Sequence, residues 1–296
     1  MTADPGPAFG PVDISLTAIA SRLEGLPRTL DSLLAQDYGR GAGDGGDTGG
    51  GGRIHLHLSR EPHLLDEGVR DLPAALARTI DEAGGRIVLR YVPNWGPYRK
   101  LLPYLFAHWG TSRLVATADD DTIYPADWLS GLVAAYGTYG CTIARRGHQM
   151  RFLPDGTPTA YRGWMHAKVE GTPGRLLLPT GKDGVLYNTA QFPLHVLDVE
   201  TALALAPTMD DLWFRWTQAL NGIAVHLIGT DYTLHTFEET GYDDSLYLSY
   251  NLSGGNDAAV ALLEAHFRDR FGWRMADLAA PETARGPGAG PGAGVT

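Results

Sequence analysis

Apolar residues in the first half of the chain switch repeatedly between two spacings. Residues 12–20 (VDISLTAIA) place apolar and β-branched side chains at the period of a strand, and residues 23–36 then carry Leu26, Leu30, Leu33 and Leu34 at helical spacing. The succession repeats. Residues 53–59 (RIHLHLS) alternate cleanly and predict a second strand, and residues 69–83 predict a helix stopped by Gly84 and Gly85. Residues 86–92 predict a third strand. Asn94, Trp95, Gly96 and Pro97 break the pattern, and a helix resumes over 98–109. A fourth strand over 114–118 and a helix over 126–136 follow. Strands and helices in turn imply a mostly parallel sheet covered on both faces, a three-layer α/β fold.

The second half has less rhythm. Residues 141–145, 184–187 and 223–228 predict strands, and residues 212–220 a helix ended by Asn221-Gly222. Residues 257–271 predict a last amphipathic helix. Between them, residues 147–182 are rich in Gly, Pro and aromatics with little periodicity, the composition of loops that build a binding surface. Residues 39–52 are mostly Gly and are expected to form a disordered surface insertion; they lack the Lys-Ser/Thr pair of a phosphate loop. No dinucleotide fingerprint or internal repeat is visible.

Bulk composition narrows the classes. With 44% hydrophobic and 20% charged residues, the 296-residue chain has an ordinary globular balance. A net charge of −10 without a Lys/Arg run speaks against a nucleic-acid partner. The single Cys141 excludes an internal disulfide and suits a reducing compartment. The N-terminus has no basic segment followed by an apolar one, and no stretch is apolar for the roughly 18 residues a membrane span requires. A cytoplasmic protein is expected, with room for peripheral contact at the inner face of the membrane.

Two acidic patches carry the candidate chemistry. Residues 114–125 (LVATADDDTIYP) run a buried-strand pattern directly into Asp119, Asp120 and Asp121. Open α/β sheets bind ligands at the carboxyl ends of their strands. Three adjacent carboxylates repel one another unless a cation sits among them, and an oxygen-preferring divalent ion, Mg²⁺ or Mn²⁺, suits that need. The competing reading is a solvated acidic turn that caps the next helix. Some ninety residues on, Asp210 and Asp211 stand where a helix begins, and they too are open to a capping role.

With these pieces, the chain resembles a GT-A fold nucleotide-sugar glycosyltransferase, similar to the family-2-like bacterial enzymes of surface-polysaccharide assembly. The resemblance is carried by SRLEGLPRTLDSLLAQ (21–36), GPYRKLLPYL (96–105), TADDDTIYPADWL (117–129), ARRGHQM (144–150), GVLY (184–187) and MDDLWFRWTQALNGIAV (209–225). It spans roughly residues 12–271. One departure is clear: Thr17 to Arg22 stands where family-2 enzymes commonly carry Pro-Thr-Tyr-Asn, which leaves the base contacts open.

The resemblance implies a GT-A domain over 11–278, with a nucleotide-binding half (11–136) and a loop-rich acceptor-binding half (137–278), between a flexible segment (1–10) and a disordered tail (279–296). It implies a metal-dependent, inverting transfer from a nucleotide-sugar donor, a UDP-sugar first, to a glycan, lipid-linked or small-molecule hydroxyl acceptor. Asp121 would be the principal metal ligand, Asp119 would touch metal and ribose or sugar, and Asp120 would be oriented by backbone amides. His235 would be a third metal ligand. Asp211 would be the general base and Asp210 its support, with the roles exchangeable. Lys100, ahead of Arg99, would meet the diphosphate and Arg22 base or phosphate, and Gly181 to Gly184, with Lys182 and Asp183, would line the donor or acceptor pocket, Gly184 on the donor side. One of Arg145, Arg146 and His148 would lie near the donor sugar. Trp164, Trp213 and Trp216 are candidates for sugar stacking, against the commoner reading of core. His55 and His57 read as surface or satisfied rather than ligating. Two alternatives remain: a sugar nucleotidyltransferase, whose Gly-rich basic signature is missing after the first strand, and a catalytically silent glycan-binding or scaffold protein.

Overall fold

The computed structural model describes residues 9–39, 51–165, 171, 173–229, 236–237, 246, 249–250 and 254–279. Its elements run β1 (Val12–Thr17), α1 (Leu26–Leu34), β2 (Gly51–Leu58), α2 (Ala74–Glu82), β3 (Ile87–Tyr91), α3 (Leu102–His108), β4 (Leu114–Thr117) and α4 (Trp128–Tyr139). Then follow β5 (Thr142–Ala144), β6 (Gly147–Gln149), α5 (Tyr161–Met165), β7 (Leu177–Pro179), β8 (Val185–Asn188), α6 (Val199–Leu205), α7 (Asp210–Leu220), β9 (Val225–Leu227) and α8 (Asn256–Phe271). The main sheet has the order β3-β2-β1-β4-β8-β5-β9. All its neighbours are parallel except β8, which runs against β4 and β5. This is the three-layer, mostly parallel α/β architecture that the alternating pattern predicts.

Side-chain alternation divides the core between the two faces of the sheet. On β4, Leu114 and Ala116 join a cluster with Leu26, Leu30 and Leu33 of α1 and Leu132 of α4. Val115, between them, joins Leu102 and Leu105 of α3, Trp213 and Trp216 of α7 and Leu263 and Phe267 of α8. β8 divides likewise, Leu186 to the first cluster and Val185 and Tyr187 to the second. Trp164 is also buried in the second cluster, so none of the three tryptophans is free to stack on a sugar.

Several expectations change in detail. The second helix starts at Ala74 rather than 69, because a residue preceding proline is driven out of the helical region and Leu72 precedes Pro73. The helix expected over 98–109 is a 3-10 turn over Gly96–Lys100 followed by α3, since Pro103 has no N–H to continue the ladder. The glycine-rich insertion gives up Gly51 and Gly52 to β2, where a Cβ on Gly52 would lie 2.2 Å from the Val12 carbonyl oxygen. Residues 40–50 of that insertion lie outside the described residues. The stretch expected as loops over 147–182 contains the hairpin-like pair β6–β7 and the short α5. His55 and His57 are both buried, His57 beside Ser15 Oγ at 3.4 Å and His55 edge-on to Tyr104. Among the described residues, no helix is long and apolar enough to cross a membrane.

Candidate active site

The antiparallel strand gathers the site. Thr117 at the end of β4 pairs with Val185 at the start of β8, so the segment entering β8 lies beside the acidic segment leaving β4. Asp119 receives two partners there: Lys100 Nζ donates to its Oδ1 at 2.5 Å, and the Asp183 N–H donates to its Oδ2 at 3.2 Å. Lys100 is fixed from behind, because Ser15 Oγ on β1 donates to its carbonyl at 2.6 Å. Arg22, on the 3-10 turn after β1, donates to Asp120 Oδ1 (2.9 Å) and Asp121 Oδ2 (3.2 Å). Asp120 is therefore oriented by a guanidinium and not by backbone amides, because β1 and β4 are sheet neighbours and their exits face each other.

Charge is only partly balanced in this patch. Burial, Asp120 and Asp119 push the Asp121 carboxyl up to about 6, against the pull of Arg22 and Lys100. Burial works against the Lys100 ammonium, yet Asp119, with Asp210 and Asp211, overcomes it and holds that group well above the ordinary lysine range.

The second acidic patch is on α7. Asp210 and Asp211 occupy its first turn, and the residue in the capping position is Met209, so neither carboxylate is the N-cap. Burial pushes the Asp210 carboxyl up; Lys100 and the amides of Asp210 and Asp211 oppose the shift. Burial and the neighbouring Asp210 push Asp211 up to about 8, while Lys100 and the N–H of Gly181 pull it down. Gly181 shows how tight the contact is: a Cβ there would lie 3.0 Å from Asp211 Oδ1 and 3.2 Å from Lys100 Nζ. Asp119, Lys100 and Asp211 therefore converge on one place. The two acidic patches are not on opposite sides of the molecule; they share a cation.

The remaining candidates separate clearly. Arg99 is buried in an ion pair with Asp66 at 2.8 Å, and Asp66 also accepts from the amides of Ala20 and Gly68, which ties down the turn carrying Arg22. Arg145 is buried and donates to the Trp128 carbonyl at 2.6 Å, and His148 packs edge-on to Tyr161. Arg146 is the member of that trio at the site, 4.0 Å from Asp183 Oδ2. Gly184 has φ +103°, and a Cβ would meet the Trp128 ring at 2.5 Å, so packing demands a glycine there. His235 lies outside the described residues. The sequence reading missed the Tyr124 hydroxyl, which accepts from the Asp119 N–H at 2.7 Å; the 181–184 segment, expected along the donor or acceptor pocket, lies beside both patches, with its Asp183 amide on Asp119. Two glycines flanking Lys182-Asp183 were the visible signal.

Among the described residues, no three His, Cys, Asp or Glu side chains converge as a ready-made metal site. The charge and chemistry nevertheless fit a hard divalent ion. Asp119, Asp120 and Asp121 offer oxygen donors against two directly paired cations, Lys100 and Arg22, with Asp183, Asp210 and Asp211 nearby.

No family profile matches the chain, nor does any curated protein. Among solved structures it is similar to 4-diphosphocytidyl-2C-methyl-D-erythritol synthase from Anaerococcus prevotii, at 15% identity, 81% of this chain and 96% of that one, with a TM-score of 0.46. It is similar to S. aureus TarS (residues 1–349), at 14% identity, 88% of this chain and 74% of that one, with a TM-score of 0.46. It is also similar to the mannosyltransferase PcManGT from Pyrobaculum calidifontis in complex with GDP-Man and Mn²⁺. There the identity is 16%, the coverage 95% of this chain and 82% of that one, and the TM-score 0.40. Likeness at this level concerns the fold and assigns no residue a role.

Proposed function

We propose that this chain is a metal-dependent, inverting glycosyltransferase of the GT-A arrangement. It would move a sugar from a nucleotide-sugar donor, a UDP-sugar first, to a hydroxyl of a glycan, lipid-linked or small-molecule acceptor. The observation carrying this reading is that Lys100 stands between Asp119 of one acidic patch and Asp211 of the other. In the proposed division, residues 11–136 hold the nucleotide and residues 137–278 the acceptor, in a cytoplasmic protein with peripheral access to the membrane.

Asp119 and Asp121 would hold Mg²⁺ or Mn²⁺, with His235 as the proposed third ligand. When bound, the ion supplies positive charge for the departing nucleoside diphosphate. Lys100 and Arg22 place two further cations on the donor side, with Lys100 the better placed for the diphosphate. The acceptor oxygen attacks the anomeric carbon, the bond from that carbon to the diphosphate oxygen breaks with its electron pair leaving on the diphosphate, and the hydroxyl proton passes to Asp211. Burial and Asp210 make Asp211 a stronger base than a solvated carboxylate, and Lys100 keeps its ionised form within reach.

Release of UDP from UDP-hexoses, measured with Mn²⁺ and a set of hydroxyl acceptors, tests the reading, with Asp211→Ala and Asp121→Ala as comparators. Full transfer by Asp211→Ala removes the base assignment. Pyrophosphate formed from a nucleoside triphosphate and a sugar phosphate would identify a nucleotidyltransferase instead. Unchanged nucleotide and metal binding in both variants would leave a non-enzymatic binding protein.

A further inference from the structure

One four-residue turn touches both acidic patches through its backbone. The Gly181 backbone lies against the Asp211 carboxylate, whose Oδ1 would be 3.0 Å from a Cβ on that glycine, and the N–H of Asp183 donates to Asp119 Oδ2 at 3.2 Å. The turn between them is locked. Asp183 has φ +70° and Gly184 φ +103°, both in the left-handed region, and the Gly184 N–H closes back on the Gly181 carbonyl at 3.3 Å. Trp128 Nε1 donates to the Asp183 carbonyl at 2.9 Å, and its ring fills the space where Gly184 would carry a side chain. At the entry Thr180 N–H donates to the Arg146 carbonyl (3.1 Å), and at the exit Arg145 N–H donates to the Gly184 carbonyl (3.1 Å). Lysine and arginine side chains rotate about many bonds; amides in such a turn do not.

We propose that the Gly181–Gly184 turn is a positioning element that sets the spacing between the donor-side carboxylate Asp119 and the acceptor-side carboxylate Asp211. Gly181 is the residue whose missing side chain makes this possible. Its catalytic consequence rests on the transferase reading above. Gly181 itself does not occupy the left-handed region, so its backbone accepts an alanine. A methyl group there meets only Asp211 Oδ1 and Lys100 Nζ closely, so the substitution disturbs the spacing and spares the fold.

Amide proton shifts in isotopically labelled protein test the geometry without turnover. Asp211→Asn should move the Gly181 amide proton upfield and leave that of Asp183 in place, and Asp119→Asn should do the reverse. In a folded Gly181→Ala protein, binding of UDP with Mn²⁺ should persist. The kcat for the UDP-hexose that the parent chain turns over should fall about 100-fold at little-changed donor KM, the effect of misplacing a reacting group by about an ångström. A Gly181 amide indifferent to Asp211→Asn overturns the proposal, as does parental kcat in folded Gly181→Ala. If Gly181→Ala does not fold, the amide shifts in the other two variants decide alone. If the parent turns over no UDP-hexose, the transferase reading fails while the amide shifts still decide the positioning.

Discussion

The two acidic patches meet around one lysine, Lys100, but are built on opposite terms. Asp119, Asp120 and Asp121 are paired at hydrogen-bond distance with Lys100 and Arg22, cations contributed by the 3-10 turns that follow β3 and β1. Asp210 and Asp211 make no ion pair among the described residues; they face Lys100 at longer range and rely on backbone amides. The first patch is paired with cations yet keeps a carboxylate in excess, an arrangement suited to holding a phosphate–cation assembly. The second keeps a carboxyl reluctant to ionise, suited to accepting a proton. In the proposed division, a difference in compensation and not in residue type would separate binding from proton transfer.

The sharpest break in this comparison is expected from exchanging one carboxylate in each patch. Asp211→Asn should cut turnover by about 10²- to 10⁴-fold, the usual contribution of a general base, while calorimetry shows UDP and Mn²⁺ still binding. Asp121→Asn should act the other way and weaken Mn²⁺-dependent UDP binding by about tenfold or more, since a charge-assisted ligand is lost from the platform. If both substitutions depress binding alike, the patches do not divide the labour.

The pH–rate profile gives a smaller, graded effect. With Asp211 near 8 in this structure, kcat should rise about tenfold per pH unit below that value and level off above it, because only the ionised carboxylate accepts the proton. Lys100→Met removes a cation that pulls Asp211 down, so its profile should shift toward alkaline pH. A shift toward acid would show that Lys100 does not act on Asp211.

The regular part of this architecture was legible because buried strands and helices impose a period. Leu26, Leu30 and Leu33 declare α1 by their spacing alone, and the LVATA run declares β4 and the sheet edge it reaches. The same pattern placed Asp119–Asp121 and Asp210–Asp211 at element ends. The shared cation was not legible: Lys100 meets Asp119 through a tertiary contact between a 3-10 turn and a strand end, and its neighbours in sequence give no sign of it. Arg22, similarly, takes the place expected of amides at Asp120 only because β1 and β4 are adjacent. Strands of three residues, such as β6 and β7, are too short to show alternation, and the seven-residue α6 gives barely two turns of helical spacing. Amides of the 181–184 turn carry no residue signature at all. Only the glycines that free space for them do.

The smallest expected effect is on stability, and it separates the patches most cleanly. An unfolded chain ionises Asp211 near the ordinary carboxylate value of about 3.9. The folded chain holds the proton up to about 8. Between those values the folded state binds the extra proton, so this residue's contribution to stability falls as pH rises through the window. Asparagine cannot ionise. Asp211→Asn should therefore raise the thermal midpoint at pH 8, by about 2–4 °C for each kcal/mol recovered in a chain of this size, at the cost of turnover. At pH 4 the two proteins should melt together, because Asp211 is then largely protonated when folded and gains little by ionising when unfolded. Asp120, paired with Arg22, should behave oppositely: Asp120→Asn discards the shorter of the two ion pairs of Arg22 and leaves Asp121 as its remaining carboxylate, lowering the midpoint at pH 8. A midpoint gain for Asp211→Asn that is the same at pH 4 and pH 8 would show that altered packing, not the buried proton, accounts for it.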